Sequence, residues 1–319
     1  MNTRKMVQSV ISTVLLTSVV LNTTACYIIL AKVKRKEITH LFIVSISITN
    51  LLETIIGLTP QLAMADESLL ERTPLCIVGG FAVLGFAITN ITHLAILSFI
   101  RIVAIKYPRR YFQYHKMFWC RVTSILVCYA YGFLWATLPM IGWSKYELDF
   151  DKKRCSLDWK LTKFNSLSYI IAFLFCCNIL PGIVIVLSLY FSTKEIRYRK
   201  ACKLPKNTKT DLLEKEYFRV CFLSAVTYFF FRTSYVIVGV LTLLKIAIPT
   251  HLATTTALFS NLSTVSNILI NCYALKSFQK QLLNLRIIQI LKTFFLELRD
   301  CKKNKINTIL PMHIFFGIK

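Results

Sequence analysis

Two oppositely charged side chains and one histidine lie inside long apolar stretches of the sequence, where ionisable groups are costly. Glu53 is the only acidic residue well within such a stretch, Arg232 is a cation in another, and His93 lies in a third. A carboxylate in an apolar medium must be protonated, paired with a cation or beside water. We therefore predict that Glu53 and Arg232 interact, directly or through water. We interpret His93 as a hydrogen-bonded core residue rather than a proton relay.

The other reactive residue types form no catalytic or metal-binding pattern. The eleven cysteines are an odd number, so they cannot all pair with one another. The sequence has no C-x-x-C or H-E-x-x-H spacing for a metal, and no G-x-G-x-x-G or Walker pattern for a nucleotide. We predict no catalytic residue, no bound metal and no cofactor, and hence no enzyme activity.

Seven long apolar segments must position these residues. The chain is 55% hydrophobic with a mean hydropathy of +0.57, and each segment could cross about 30 Å of hydrocarbon as a helix. We call them helices 1 to 7; they cover residues 7–31, 39–64, 76–105, 117–141, 165–191, 217–244 and 248–274. The sequence therefore predicts an all-α bundle of seven transmembrane helices over 1–274. A cytoplasmic amphipathic helix and a basic tail follow over 275–319.

The distribution of positive charge sets the predicted orientation. A net charge of +24 would indicate a nucleic-acid partner in a soluble protein. Here Lys and Arg concentrate after helices 1, 3, 5 and 7, which favours the cytoplasm for those loops and the outside for the N-terminus. We therefore expect a multi-pass protein of the plasma membrane whose partners include lipid and no nucleic acid. A cleaved signal peptide is the alternative for helix 1, but the segment is too long and lacks a clear cleavage site.

This topology separates the cysteines by compartment. Cys76, at the outer start of helix 3, and Cys155, in the loop after helix 4, face the oxidising side. Cys202 and Cys301 face the reducing cytosol. Most of the others lie in apolar segments, where a free thiol behaves as a small hydrophobe.

Several short motifs carry a resemblance to one family. Residues 98–102 read Ser-Phe-Ile-Arg-Ile at the end of helix 3. This sequence is similar to the end of the third helix in the rhodopsin-like G-protein-coupled receptors, with Arg101 alone retained from that family's Asp/Glu-Arg-Tyr motif. Asn22 matches an asparagine of the first helix, and Asn50 stands where the second helix carries aspartate. The loop sequences 142–146 and 155–159 together resemble the second outer loop of opsins, which indicates the opsin-like branch.

The resemblance implies a set of site residues. Cys76 and Cys155 would form one disulfide that joins helix 3 to the second outer loop. Arg101 would pair with Glu214 across the inner ends of helices 3 and 6 and hold the resting state, and Tyr273 would belong to the same G-protein-coupling region. Asn22 and Asn50 would form the polar core of the bundle together with Glu53 and Arg232, the pair predicted above from the cost of charge in apolar segments.

The chain departs from the family at positions that matter for signalling and for light. Arg232 stands at the family's helix-6 tryptophan, Ser234 at its proline, and Leu269 at the asparagine of its Asn-Pro-x-x-Tyr motif. By gapless spacing from Tyr273, Ser263 occupies the place of the lysine that binds retinal in opsins. Gly79 occupies the usual place of its counterion. A retinal Schiff base requires an amine, so we predict that this protein is not a Schiff-base photopigment.

These observations favour a receptor that passes the signal of an unknown extracellular ligand to a heterotrimeric G protein. One alternative is a degenerate, non-signalling receptor fold or a retinoid-handling protein, which the departures keep open. A transporter is a weaker alternative, because the sequence shows no internal repeat.

Overall fold

The computed structural model describes residues 3–33, 38–63, 74–114, 117–148, 155–201, 208–244, 246, 248–274 and 276–283. Helix 1 combines an α-helix, Thr3–Tyr27, with a π-helical turn, Ile28–Lys32; helices 2, 3 and 4 are Ile38–Ala63, Leu75–Lys106 and Phe118–Thr137. Helix 5 comprises Ser166–Phe173, the π-helical Leu174–Ile179 and Leu180–Ala201. Helix 6 is Thr208–Leu243, and helix 7 comprises Thr250–Asn261 and Ser263–Ala274. Short helices occupy Pro108–Tyr114 and Lys276–Leu283.

The predicted fold class, a bundle of seven transmembrane helices, is confirmed. Six of the described helices are long and apolar enough to cross a membrane by themselves. Helix 7 is not among them because its α-helical pattern stops at Leu262, which divides it into two pieces of 12 residues each. The sequence did not indicate this division, since no proline or glycine lies there.

Helix 3 is the central element of the bundle, as its length and lack of charge suggest. It packs against helices 2, 4, 5 and 6. Its closest approach is to helix 4 at Gly132, where an added Cβ atom would lie 2.2 Å from the Thr89 hydroxyl and 2.6 Å from the Gly85 carbonyl oxygen. Only a residue without a side chain fits between two backbones at that distance.

Helices 5 and 6 are longer than their apolar segments. The loop predicted between them, 192–219, is helical up to Ala201 and again from Thr208. The prediction of a loop was wrong for residues 192–201 and 208–219, and residues 202–207 lie outside the described residues. The prediction followed hydropathy alone, whereas Lys, Arg and Glu favour helices strongly once a helix has begun. In the middle of helix 5 the π-helical stretch ends two residues before Pro181, a residue without an N–H whose ring disturbs the preceding turn.

A two-stranded antiparallel sheet interrupts the helical pattern after helix 4. Strand β1, Tyr146–Leu148, pairs with strand β2, Cys155–Leu157, with Glu147 opposite Ser156. No strand was predicted from the sequence. The bundle with its sheet belongs to one compact unit, Met1–Leu275, and Lys276–Lys319 forms a second. In the second unit the helix Lys276–Leu283 is described; the tail after Leu283, with Cys301, lies outside the described residues. The assignment of 275–319 as a cytoplasmic domain stays a prediction.

Candidate functional site

The disulfide between Cys76 and Cys155 is present, as predicted, and ties β2 to the start of helix 3, with the two Cα atoms 5.2 Å apart. We call this end of the bundle the disulfide end, and the opposite end the Arg101 end. At the disulfide end, helices 3, 5, 6 and 7 surround a cavity of about 120 Å³, closed from one side by β2 and Trp159. We call β1, β2 and residues 158–159 the lid.

The lid is held at both of its sides by specific contacts. The Tyr146 hydroxyl donates to the carbonyl oxygen of Ala136 over 2.7 Å, and its ring lies against Gly80 of helix 3. Trp159 is 4% exposed, and its indole packs against Gly239 and, edge to face, against Tyr235 of helix 6. The lid therefore bridges helices 3 and 6 above the cavity.

Asp158 organises the turn that leads from the lid to helix 5. Its carboxylate accepts hydrogen bonds from the Ser166 hydroxyl at 2.7 Å and from the amides of Thr162 and Lys163 at 3.0 Å each. Burial raises the pKa of this carboxyl, but the three hydrogen bonds outweigh burial and hold the pKa below its ordinary value. Asp158 was not recognised from the sequence as more than part of an opsin-like loop.

Arg232 lines the floor of the cavity and forms an ion pair there with Glu53, which lies behind it. The Arg232 guanidinium on helix 6 contacts the Glu53 carboxylate on helix 2 through Nη2, and the side chains are 14% and 2% exposed. Nε of Arg232 donates to the Ser263 hydroxyl of helix 7 over 3.0 Å. Asn90 of helix 3 donates to the second carboxylate oxygen of Glu53 over 3.1 Å. These side chains therefore link helices 2, 3, 6 and 7. The centre of the Tyr228 ring lies 5.7 Å from the guanidinium carbon of Arg232.

Two members of this group, Asn90 and Ser263, were not predicted as partners of the pair. The sequence analysis considered Ser263 only for the missing lysine. Asn90 lies 11 residues before Arg101, about three helical turns, and so shares its face of helix 3. An amide at that place in an otherwise apolar run was the signal that could have identified it.

The other two residues of the predicted polar core extend this network toward helix 1. Asn50 accepts a hydrogen bond from Asn90 over 2.9 Å. Asn22 donates to the carbonyl oxygen of Ser18 over 2.8 Å and to that of Thr264 over 3.3 Å. All four predicted core residues are thus buried or nearly so, and each makes at least one polar contact.

His93 lies apart from this network, buried in the bundle. One ring nitrogen, Nδ1, lies 2.7 Å from the Thr89 carbonyl oxygen and must donate to it, and Nε2 lies 2.9 Å from the Ser45 hydroxyl. Phe42 and Tyr129 pack edge to face against the ring. These contacts fix the imidazole in place and support the interpretation of His93 as a core residue.

The Arg101 end contains a second, smaller cavity of about 20 Å³, lined by Arg101 together with Phe218 and Cys221 of helix 6. Arg101 also donates to the Thr39 hydroxyl of helix 2. The side chain of Glu214, its predicted partner, lies outside the described residues. Tyr273 is 69% exposed. The roles of Arg101, Glu214 and Tyr273 in a lock and in coupling therefore stay predictions.

A bundle of seven helices, four of which surround a cavity beneath the lid, defines a multi-pass membrane protein of the seven-helix class. A family model described as "7 transmembrane receptor (rhodopsin family)" matches residues 21–274. Opsin-3 of Mus musculus is 27% identical over 264 residues, which cover 80% of this chain and 64% of that protein. Pinopsin of Gallus gallus is 26% identical over 247 residues, 76% of this chain and 69% of that protein.

A solved structure, the crystal structure of squid rhodopsin, has the same fold. It matches with a TM-score of 0.76 at 17% identity and covers 91% of this chain and 86% of that chain. The chain thus belongs to the rhodopsin family of seven-transmembrane receptors and is opsin-like within it. It spans under two thirds of the length of mouse Opsin-3.

Proposed function

We propose that this protein is a G-protein-coupled receptor that passes the signal of an extracellular ligand to a heterotrimeric G protein. The observation that carries the proposal is that helix 6 lines a cavity at each end of the bundle. Helix 6 contributes Arg232 and Tyr235 to the cavity at the disulfide end, and Phe218 and Cys221 to the cavity beside Arg101. A ligand that displaces the outer part of helix 6 would therefore change the surroundings of Arg101.

The orientation follows from the charge distribution. We place the disulfide end outside the cell and the Arg101 end in the cytoplasm of a plasma-membrane protein, because Lys and Arg concentrate in the loops and tail on the Arg101 side and disulfides persist in oxidising compartments. Cytoplasmic helix ends rich in Lys and Arg also suit contact with anionic lipid and with a G protein. We infer no enzymatic activity.

We further propose that the receptor does not use a retinal Schiff base. No lysine is among the described residues that line the cavity. Ser263, which stands at the place of the opsin lysine, accepts a hydrogen bond from Arg232 instead. The cation at this level of the bundle is thus supplied by helix 6, and Glu53 of helix 2 neutralises it.

The same ion pair favours one other candidate, a receptor fold that binds an apolar molecule without signalling. A buried pair between helices 2 and 6 opposes displacement of helix 6, because separating it leaves two uncompensated charges in an apolar medium. Such a protein would keep the cavity and the lid but would not activate a G protein.

Expression in cultured cells with a panel of G-protein reporters separates the candidates. We expect constitutive or ligand-driven activation of at least one G-protein class, and its loss in Arg101→Ala at equal surface level. Absence of any response to peptides, amines, acids and lipids, with normal surface expression, would favour the non-signalling candidate. Uptake of a solute without a reporter response would favour a transporter.

A further inference from the structure

The cavity at the disulfide end has a definite electrostatic character. Its walls are mostly apolar and aromatic, with Val83, Leu84, Ile88, Phe173 and Val236 among them. Among the described lining residues Arg232 is the one cation, and none is an aspartate or glutamate. The neutral polar groups at its edges include the amides of Asn178 and Asn261. A ligand therefore meets an apolar chamber with one cationic side chain at its floor.

Glu53 does not remove this asymmetry, because it lies behind Arg232 rather than in the cavity wall. Its carboxylate is 2% exposed and already accepts from Arg232 and Asn90. Arg232 itself lines the cavity. A guanidinium has five N–H donors in a planar fork, so a ligand carboxylate that reaches it from the cavity can share or displace the contacts that it makes with Glu53 and Ser263.

The chemistry of the wall discriminates between ligand classes. An ammonium group would need an acidic partner and would meet a guanidinium instead, at a site where low polarity strengthens repulsion. A carboxylate would gain charge-assisted hydrogen bonds from the guanidinium, which are about twice as strong as neutral ones. A neutral alcohol would gain one ordinary hydrogen bond. The order of preference is therefore carboxylate, then alcohol, then amine.

We propose that the ligand is a compact apolar molecule with a single carboxylate, which is held by Arg232 at the floor of the cavity. This rests on the proposed function in one respect, namely that the cavity is the ligand site of a receptor. A bound carboxylate places two anions on one guanidinium, so it competes with Glu53 for Arg232. Ligand binding would thereby loosen the tie between helices 2 and 6.

Phenyl-substituted alkanes with chains of two to eight carbons, each prepared as carboxylate, alcohol and amine, test the preference. The purified full chain in lipid nanodiscs is heated while tryptophan fluorescence reports unfolding. We expect the carboxylates to raise Tm more than the alcohols of equal length, and the amines to leave it unchanged. Equal shifts for the three head groups, or a preference for amines, would overturn the proposal.

Substitutions in the ion pair give a sharper test, because they should act in opposite directions. Glu53→Gln removes the competing anion and should tighten carboxylate binding about tenfold or more. It also leaves Arg232 without its carboxylate, so carboxylates added to the medium should rescue the surface level of this variant. Arg232→Gln should lose the carboxylate preference and show no rescue, which controls for a general effect of these compounds on folding.

Two more variants keep the test decisive. Where Arg232→Gln does not fold, the double change Glu53→Gln with Arg232→Gln keeps the site neutral, and a carboxylate preference that survived in it would refute the assignment. Val236→Ala, a change in the apolar wall, should weaken the binding of carboxylates and of alcohols by the same factor. Fluorescence needs no G protein, so carboxylate binding without a reporter response would refute the receptor function alone. A reporter response without carboxylate preference would refute only the ligand class.

Discussion

Arg232 of helix 6 and Glu53 of helix 2 form an ion pair across the bundle, although 179 residues separate them in the chain. Each is buried where an unpaired charge would be costly, so the contact ties together two helices that no loop joins. Ser263 and Asn90 fix the geometry from either side. The pair is consequently a structural tie and, if helix 6 moves in signalling, a barrier to that movement.

Neutralising one member of the pair should destabilise the protein more than neutralising both. Glu53→Gln or Arg232→Gln alone leaves one buried charge uncompensated, at a cost of about 3–5 kcal/mol. The double variant leaves none. We expect low surface expression for each single variant and substantial recovery for the double, measured by flow cytometry of an N-terminal epitope. Normal surface levels for both single variants would show that the pair does not contribute to stability.

The lid should depend on the absence of a side chain at Gly239. A Cβ atom there would lie 2.6 Å from Cε3 of the Trp159 indole, so Gly239→Ala must displace the ring or the helix, at about 1–3 kcal/mol. We expect a lower Tm and a changed tryptophan emission. Gly79→Ala is the matched control, because nothing lies within 4 Å of the Cβ it would add. Equal Tm changes for the two substitutions would contradict this account of the contact.

The turn around Asp158 should weaken in acid. The folded state holds the pKa of Asp158 below its ordinary value of 3.8, so the unfolded turn binds the proton more readily. Its contribution to stability is fully present above pH 3.8 and is lost as the pH falls through the lower, folded-state pKa. Protection factors for hydrogen exchange of residues 158–166, which correct for the intrinsic effect of pH on exchange, should therefore fall below pH 3.8. Asp158→Asn should show lower protection already at neutral pH and a flatter profile below pH 3.8.

The features that the sequence predicted depend on the free-energy cost of buried charge and on the spacing of residues along the chain. An unpaired Glu53 or an unpaired Arg232 would be very unfavourable in apolar surroundings, so their pairing could be predicted from the sequence alone. The helix positions followed from long apolar runs, and the disulfide from a resemblance at Cys76 and Cys155. These inferences required no knowledge of which helix faces meet.

The features that the sequence did not predict depend on packing in three dimensions. Whether Asn90 or Ser263 contacts the ion pair is set by helix rotation, which a weakly amphipathic span does not specify. The break at Leu262 and the contact between Trp159 and Gly239 likewise arise from neighbours distant in the chain. Strands β1 and β2 have three residues each, too short for an alternating pattern to be distinguished from a loop.

The proposed lock between Arg101 and Glu214 should control basal activity. Because Ile100 cannot provide the family's neighbouring carboxylate, Glu214 would be the main anionic partner of Arg101. Glu214→Gln should then raise basal reporter signal about fivefold or more. Thr39→Val is the control, since it removes a neutral hydrogen bond to the same guanidinium and should have the smaller effect. An unchanged basal signal at normal surface level would argue against the lock.

The last prediction concerns light. Reconstitution of the purified protein with 11-cis-retinal should yield no visible-absorbing pigment, and borohydride should trap no retinyl adduct, because Ser263 offers a hydroxyl where an amine is required. Ser263→Lys alone should not restore a pigment, since the new cation would meet Arg232, which donates to this position over 3.0 Å.

The double variant Ser263→Lys with Arg232→Gln changes the charges around the new lysine. The substitution at 232 removes the repelling guanidinium and leaves Glu53 as an anion able to face a protonated Schiff base. Absorption spectra before and after illumination provide the measurement. We expect a visible band only in the double variant. A band that bleaches in light from the unchanged protein would overturn the proposal that the receptor lacks Schiff-base chemistry. A band from Ser263→Lys alone would instead show that Arg232 does not control the charge at this site.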